Sequence, residues 1–598
     1  MIECRPNMKR GKTMKRLALA GLVCAAVQGG LADGLPAFFA PESVATPPTF
    51  ARRDLCVTAD GEIRHYGVRL GADGRKLRVY IASCDGGRNW TMHVADTNDV
   101  GAVWKSPWSD RWIALGDGKG TNAVCALISK KGPGDTAFSR FPQKEGVQCE
   151  PRQILALRSR RRWIAPASAI GGVRGYEARV FLSDDDGSTW RMVKIPDTVP
   201  LPVKRACDAT ALWRNPGCEP TVAELSDGTL LLAVRASEGH HWFFRSHDAG
   251  ETWEGPECAS SFYSCNTMPL FLTLRDGRLL FFWNNSDPLP KPPADDAPEL
   301  SEWEIDGRAE TAFTNRDVLH AAISEDDGKT WRGFREIALN PIRNEPDFRE
   351  RGNFPDQELD KSVHQSQAME LPDGKVMLAA GQNVASRRIY VFDPKWLYET
   401  DRTEDFRHGF ENLTTHLYVR SLSGGWRGWA GHCCWNRVSG ALLVRDPFEI
   451  SNREVLQLCR IRDPRLVSDV QGVAWNFPAS RAGVVTVEAR VEGSGFRLAL
   501  CDRWFNASDP RTGDLSLVSV DVDEHLAPRG AWHAISVRWD CDSGMAEIVV
   551  DGKGVRAERL RDLGSSFGPS YLHLQTLAED TDPKGSYFRS FTKRGIRQ

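Results

Sequence analysis

The stretch SDDDGSTW, residues 183–190, has three near copies: SCDGGRNW at 83–90, SHDAGETW at 246–253 and SEDDGKTW at 324–331. All four fit S-x-D-x-G-x-x-W, and each follows a strand-like run: ARVFL before Ser183, LRVYIA before Ser83, HWFFR before Ser246 and VLHAAI before Ser324. An Asp that can accept backbone N–H groups, followed by a Gly that tolerates positive φ, predicts a tight turn. The closing Trp predicts a large apolar anchor at the start of the next strand. Each copy therefore reads as a β-hairpin with a packing peg. Asp85, Asp185, Asp248 and Asp326 become turn formers rather than catalytic groups.

The first and second copies start 100 residues apart, more than one four-stranded unit of about 40–50 residues plus loops requires. WSDRWIALGDG, residues 108–118, supplies strand and turn signals for a unit without the phrase. A second turn signal recurs in TADGEI, LSDGTLLLAV, LRDGRLLFFW and LPDGKVMLA. Together the two signals mark six units, at about 50–98, 100–148, 150–205, 215–260, 265–340 and 360–420. Helical patterning is scarce. A ring of such units leaves no long sheet edge open to solvent. From about residue 425 alternating strands continue without the phrase, as in GVVTVEARV, AWHAISVRWD and AEIVVDGKG.

Four such phrases on hairpins resemble the Asp boxes of the sialidase (neuraminidase) superfamily. The resemblance implies an all-β chain: a six-bladed β-propeller over 50–422, then a β-sandwich (jelly roll) over 425–598. The run W-x-x-I-x-V-x-W-D followed by AEIVVDGK is similar to concanavalin- or laminin-G-like sandwiches. Such a sandwich either binds carbohydrate or braces the propeller.

Composition narrows the class. The chain has 598 residues, 41% hydrophobic and 26% charged, with net charge −2. No excess of one sign suggests nucleic acid. Residues 14–32 hold a basic start (Lys15, Arg16), an apolar run and a small-residue end at Gly30-Leu31-Ala32. That order predicts a signal peptide over 1–32, with Met14 a second possible start, and a secreted or periplasmic protein. The apolar run is too short for a stable membrane span. Fifteen cysteines with no C-x-x-C pair predict no zinc site, and no cofactor is expected.

Acting on a terminal acidic sugar, as the resemblance implies, takes arginines that clamp a carboxylate, because a planar guanidinium donates two parallel hydrogen bonds. In CEPTVAELSDGTLLLAVRASEG, Glu219 and Arg235 stand sixteen residues apart across a turn, which brings antiparallel neighbours together. By resemblance Glu219 is the activating carboxylate and Arg235 a clamp; a salt bridge between blades is the plainer alternative. Arg316, in TNRDVLHAAI, is a second clamp, or else a surface arginine paired with Asp317. Arg52 and Arg53 fall near the family's first arginine, although the Ile-Pro that usually follows is missing. Asp73, in RLGADGRKL, is the acid/base candidate, or an ordinary hairpin turn. The family's tyrosine nucleophile has no match: in DKSVHQSQAMELPDGKV its place holds His364 and Gln365, and Tyr263 is a remote substitute. His364 is then a candidate acid/base, with Gln365 on the substrate side. His240, His241 with Glu238, and His432 read as structural. The expected function is an exported exo-acting glycosidase, the alternative a non-catalytic glycan binder. The expected partner is a glycan.

Overall fold

The computed structural model describes residues 37–48, 55–71, 73–96, 99–118, 123–129, 131–133, 139–144, 148–151, 153–170, 176–197, 217–236, 239–290, 312–313, 315–345, 362–382, 386–419, 437–562 and 565–596. The expected signal segment, Arg52, Arg53, Glu238 and His432 lie outside the described residues.

Five four-stranded antiparallel arrays and one five-stranded array follow one another as blades. Blade one holds Leu55–Val57, Ile63–Leu70, Lys76–Ser83 and Thr91–Val94. Blade two holds Trp104–Lys105, Trp112–Gly118, Ala123–Ser129 and Ser139–Lys144. Blade three, the five-stranded one, holds Gln148–Pro151, Leu155–Ala156, Trp163–Ile170, Tyr176–Ser183 and Arg191–Lys194. Blade four holds Cys218–Glu224, Leu230–Arg235, His240–Ser246 and Glu254–Tyr263. Blade five holds Leu270–Thr273, Leu279–Trp283, Val318–Ser324 and Arg332–Leu339. Blade six has only three strands from its own stretch: Gln367–Glu370, Val376–Ala380 and Arg388–Phe392. Its outer strand comes from the front of the chain, Glu42–Ala45, paired antiparallel with Glu42 opposite Val391. The last blade is thus completed by the first strand, which covers an edge that would otherwise expose unpaired N–H and C=O groups.

Period-two alternation explains how the blades stack. In Leu230–Arg235, Leu230, Leu232 and Val234 pack with Ile164, Val180 and Leu182 of blade three, while Leu231 and Ala233 pack with Phe271 and Phe281 of blade five. In blade six, Val376, Leu378 and Ala380 face Leu280 and Phe282, and Met377 and Ala379 face Leu55, Ile63 and Ile81 of blade one. Strands buried on both faces read as continuous apolar runs, as LLLAV and VMLAA do.

The four repeated phrases fold identically at the turn between third and fourth strands. In each, the Ser hydroxyl donates to one Asp oxygen (2.8–2.9 Å) and accepts the Gly N–H (2.8–2.9 Å). The residue before the Trp donates its backbone N–H to that same Asp oxygen (2.8–2.9 Å) and its side chain to the other (2.6 Å). The Trp indole donates to the Gly carbonyl (2.8–3.2 Å). That Gly has φ between +79° and +94° in all four, which is why the position is glycine. Slight burial alone would raise the Asp248 carboxyl, but bonds from Thr252 and Ser246 hold it at about 2. Asp248→Ala should cost on the order of 1 kcal/mol, the scale of a lost capping side chain. It should lower the melting temperature by a few degrees and leave the native strand content unchanged, as thermal melts beside circular dichroism would check.

The C-terminal region forms an eight-stranded and a five-stranded antiparallel sheet. They enclose one core that includes Leu456, Trp475, Val487, Phe496, Ile535, Phe588 and Phe591. Strand pairing joins these sheets earlier than the break expected at 422–425. Arg402–Glu404 pairs with Asp582–Gly595, and Leu413–Thr414 pairs with Gly472–Asn476.

Candidate functional site

Antiparallel pairing in blade four sets Cys218 opposite Arg235, so the sixteen-residue separation closes into one pair of neighbouring strands. Glu219 follows with φ +42°, a left-handed conformation that side-chain-bearing residues seldom adopt. The Ser168 hydroxyl accepts its N–H (2.7 Å). So placed, Glu219 accepts Arg235 Nη1 on one oxygen (2.8 Å) and Gln365 Nε2 on the other (2.9 Å). Both partners of the salt bridge are buried.

The network extends in both directions. Arg235 Nε donates to Asn266 Oδ1 (3.1 Å), and the Asn266 carbonyl accepts Arg316 Nη2 (2.9 Å). On the other side Arg387 Nη1 donates to the Gln365 carbonyl (3.2 Å) and to that of Gly381 (2.8 Å). Its Nη2 donates to His65 Nε2 (2.9 Å), while His65 Nδ1 bonds the Tyr66 carbonyl (2.9 Å). Burial, then the Arg387 guanidinium, keeps the imidazole neutral well below its ordinary pKa, so Nε2 accepts. Gly381 must be glycine here: a Cβ would stand 2.5 Å from Arg387 Cα. One hydrogen-bonded chain thus runs Arg316–Asn266–Arg235–Glu219–Gln365–Arg387–His65, through blades five, four, six and one. Asn266, Asn315 and Gln365 share the positive φ of Glu219 (+60°, +32° and +57°). Unusual backbone gathered at one place is the pattern of functional sites.

The structure therefore brings together Glu219, Arg235, Arg316 and Gln365. His364, buried beside Gln365, accepts the Gly381 N–H on its carbonyl (2.8 Å). Of the two residues where a tyrosine was expected, it is Gln365 that reaches Glu219. A neutral carboxamide is a much weaker nucleophile than a base-activated phenol, because its nitrogen lone pair is delocalised and its oxygen carries no full charge. Asp73 stands apart: it is exposed in the turn between two strands of blade one, accepts the Arg75 N–H (3.1 Å) and lies 3.6 Å from the Arg75 guanidinium. That turn is at the same end of the blade as the start of the innermost strand. Arg316 is buried rather than on the surface, and Asp317 binds Arg437 Nη1 (2.9 Å) and the Asn340 amide (2.9 Å). Tyr263 donates to Asp502 of the sandwich (3.2 Å). His241 Nδ1 bonds the Val234 carbonyl and His240 stacks near Tyr263, both buried. Among the described residues no group of three or more His, Cys, Asp or Glu forms a metal site.

Asn266, Arg387, His65 and Ser168 were not anticipated. Arg387 had a legible signal: S-R-R-I-Y opens the third strand of blade six as N-R-D-V-L opens that of blade five. Asn266 had none, since its role depends on two long-range partners.

A family model described as a BNR repeat-like domain matches residues 139–377, which hold three of the four repeated phrases and Glu219, Arg235, Arg316 and Gln365. It ends before the C-terminal sheets. Among curated proteins none matches the chain. Similar solved structures include Trypanosoma rangeli sialidase, at 12% identity over 93% of this chain and 95% of that one, TM-score 0.33. Others are the Hadza microbial sialidase Hz136, at 14% identity over 58% and 66%, TM-score 0.38, and a Dyadobacter fermentans protein of unknown function, at 15% identity over 59% and 96%, TM-score 0.36.

Proposed function

We propose that this chain, whose residues 139–377 match a BNR repeat-like domain, is an exported glycoside hydrolase of the sialidase superfamily that removes a terminal acidic sugar from glycans. The supporting observation is the continuous chain of hydrogen bonds around Glu219, with arginines from three successive blades. Arg235 and Arg316, with Arg52 or Arg53, take the sugar carboxylate, trading protein acceptors for it. Arg387 holds the Gln365 backbone, and Gln365 orients Glu219. With an amide where a nucleophile would stand, Glu219 acts as base. It takes a proton from water as the water oxygen bonds the anomeric carbon. The glycosidic C–O bond breaks, and the leaving oxygen receives a proton from His364 or Asp73.

This route inverts the anomeric centre. Proton NMR of the first-released sugar should show the anomer opposite to the substrate's; retention would contradict water as the attacking group.

One observation favours a second reading, a glycan binder without catalysis: both Glu219 oxygens already accept donors from the protein. A panel of 4-methylumbelliferyl sialosides and uronides separates the two. Release of an acidic sugar is expected; no release, with retention on acidic glycans in an array, would establish the binder.

A further inference from the structure

We infer that the C-terminal region, through the separate strand pair Leu417–Tyr418 and Arg437–Val438 and through the loop that follows Cys501, positions Arg316 and so sets the preference for an acidic sugar; this rests on the arginine reading above. Both chain neighbours of Arg316 are held by the C-terminal region. Asn315, at φ +32°, accepts the Tyr418 hydroxyl on Oδ1 (2.9 Å) and donates its amide to the Asp287 carbonyl (2.7 Å). Asp317 accepts Arg437 Nη1 (2.9 Å). Tyr418 and Arg437 sit opposite each other in a two-stranded pair, so one small element grips both sides of Arg316. All five side chains are buried.

A second grip acts on the residue that receives the Arg316 guanidinium. Asn266 comes three residues after Tyr263, whose hydroxyl donates to Asp502 (3.2 Å). The Arg503 guanidinium lies 4.0 Å over the Tyr263 ring and bonds both Asp502 (2.8 Å) and Asp287 (3.0 Å). Backbone bonds lock the same loop: Trp504 N–H to the Asn285 carbonyl and Asp287 N–H to the Trp504 carbonyl, each 2.9 Å. Arg316 and its acceptor are thus fixed from the sandwich side at independent points, in a buried interface where small shifts are transmitted. Tyr418, Arg437 and Asp502 are positioning residues; none is placed to touch the sugar.

The test measures affinity by calorimetry for N-acetylneuraminic acid and for glucuronic acid, each against its carboxyl-reduced counterpart, on the full chain. Arg316→Lys, Arg437→Lys and Tyr418→Phe are compared with wild type, with Arg497→Ala, half-buried and paired with Asp521 within the C-terminal sheets, as control. Tyr418→Phe removes one hydroxyl and guards against an Arg437 variant that fails to fold. The inference expects Arg437→Lys and Tyr418→Phe to lose at least about tenfold in acid-over-neutral preference, as Arg316→Lys does, while the control keeps it. A merely bracing sandwich would lower melting temperatures without moving that ratio. Loss in Arg316→Lys alone overturns the inference and leaves the arginine reading intact. No loss in Arg316→Lys, or no acid preference in wild type, overturns both.

Discussion

Glu219→Gln is expected to cut release of the acidic sugar by about two to four orders of magnitude, the usual worth of a positioned acid or base. The substitution is nearly isosteric. Its amide oxygen can still accept from Arg235, and the Gln365 carboxamide can turn its oxygen toward the new NH2, so the buried network should persist and the melting temperature should change little. Binding should move the other way: Glu219 places negative charge beside the arginines proposed to receive a carboxylate, and like charges disfavour one another. Removing it should hold or tighten affinity for the acidic sugar. The expected signature is a fallen kcat with an unchanged or lower KM, read from steady-state kinetics. A raised KM with kcat intact would make Glu219 a binding group only.

The largest stability effect is expected at the junction of blade five and the sandwich. Asp317 and Arg437 are both fully buried and form an ion pair at 2.9 Å. Arg437→Met leaves an uncompensated carboxylate in the interior and should cost about 3–5 kcal/mol. Burial alone would raise the Asp317 carboxyl; the Arg437 guanidinium, then His416, outweighs it and holds the pKa at about 2. The folded value is thus below the unfolded one of about 3.9. The pair's contribution is complete above about pH 4 and disappears as pH falls toward 2, roughly 2 kcal/mol in all. Urea melts between pH 2 and 6 should show this loss in wild type and not in Asp317→Asn. Parallel acid profiles would mean that other carboxylates govern it.

What was legible in the sequence was local. The S-x-D-x-G-x-x-W turn is built from bonds within eight residues, so the phrase alone announces the hairpin. Doubly buried strands announce themselves as apolar runs. Glu219 and Arg235 were legible as a pair because a single hairpin joins them. Features that depend on distant pairing were not. The outer strand of blade six is only ESVA, placed by its register against residues 389–391. The entry into the sandwich at Arg402 is marked only by its pairing with the chain's last long strand. Between His364 and Gln365, no spacing could tell which reaches Glu219, because the answer depends on the left-handed turn at Gln365. The partner of Asp317 likewise lies 120 residues away.

The most direct measurement is a crystal structure of the full chain with N-acetylneuraminic acid or glucuronic acid bound. The sugar carboxylate should lie within hydrogen-bonding distance of Arg235 and Arg316, with the anomeric carbon facing Glu219. A sugar bound elsewhere, or with its carboxylate away from both arginines, would contradict the account.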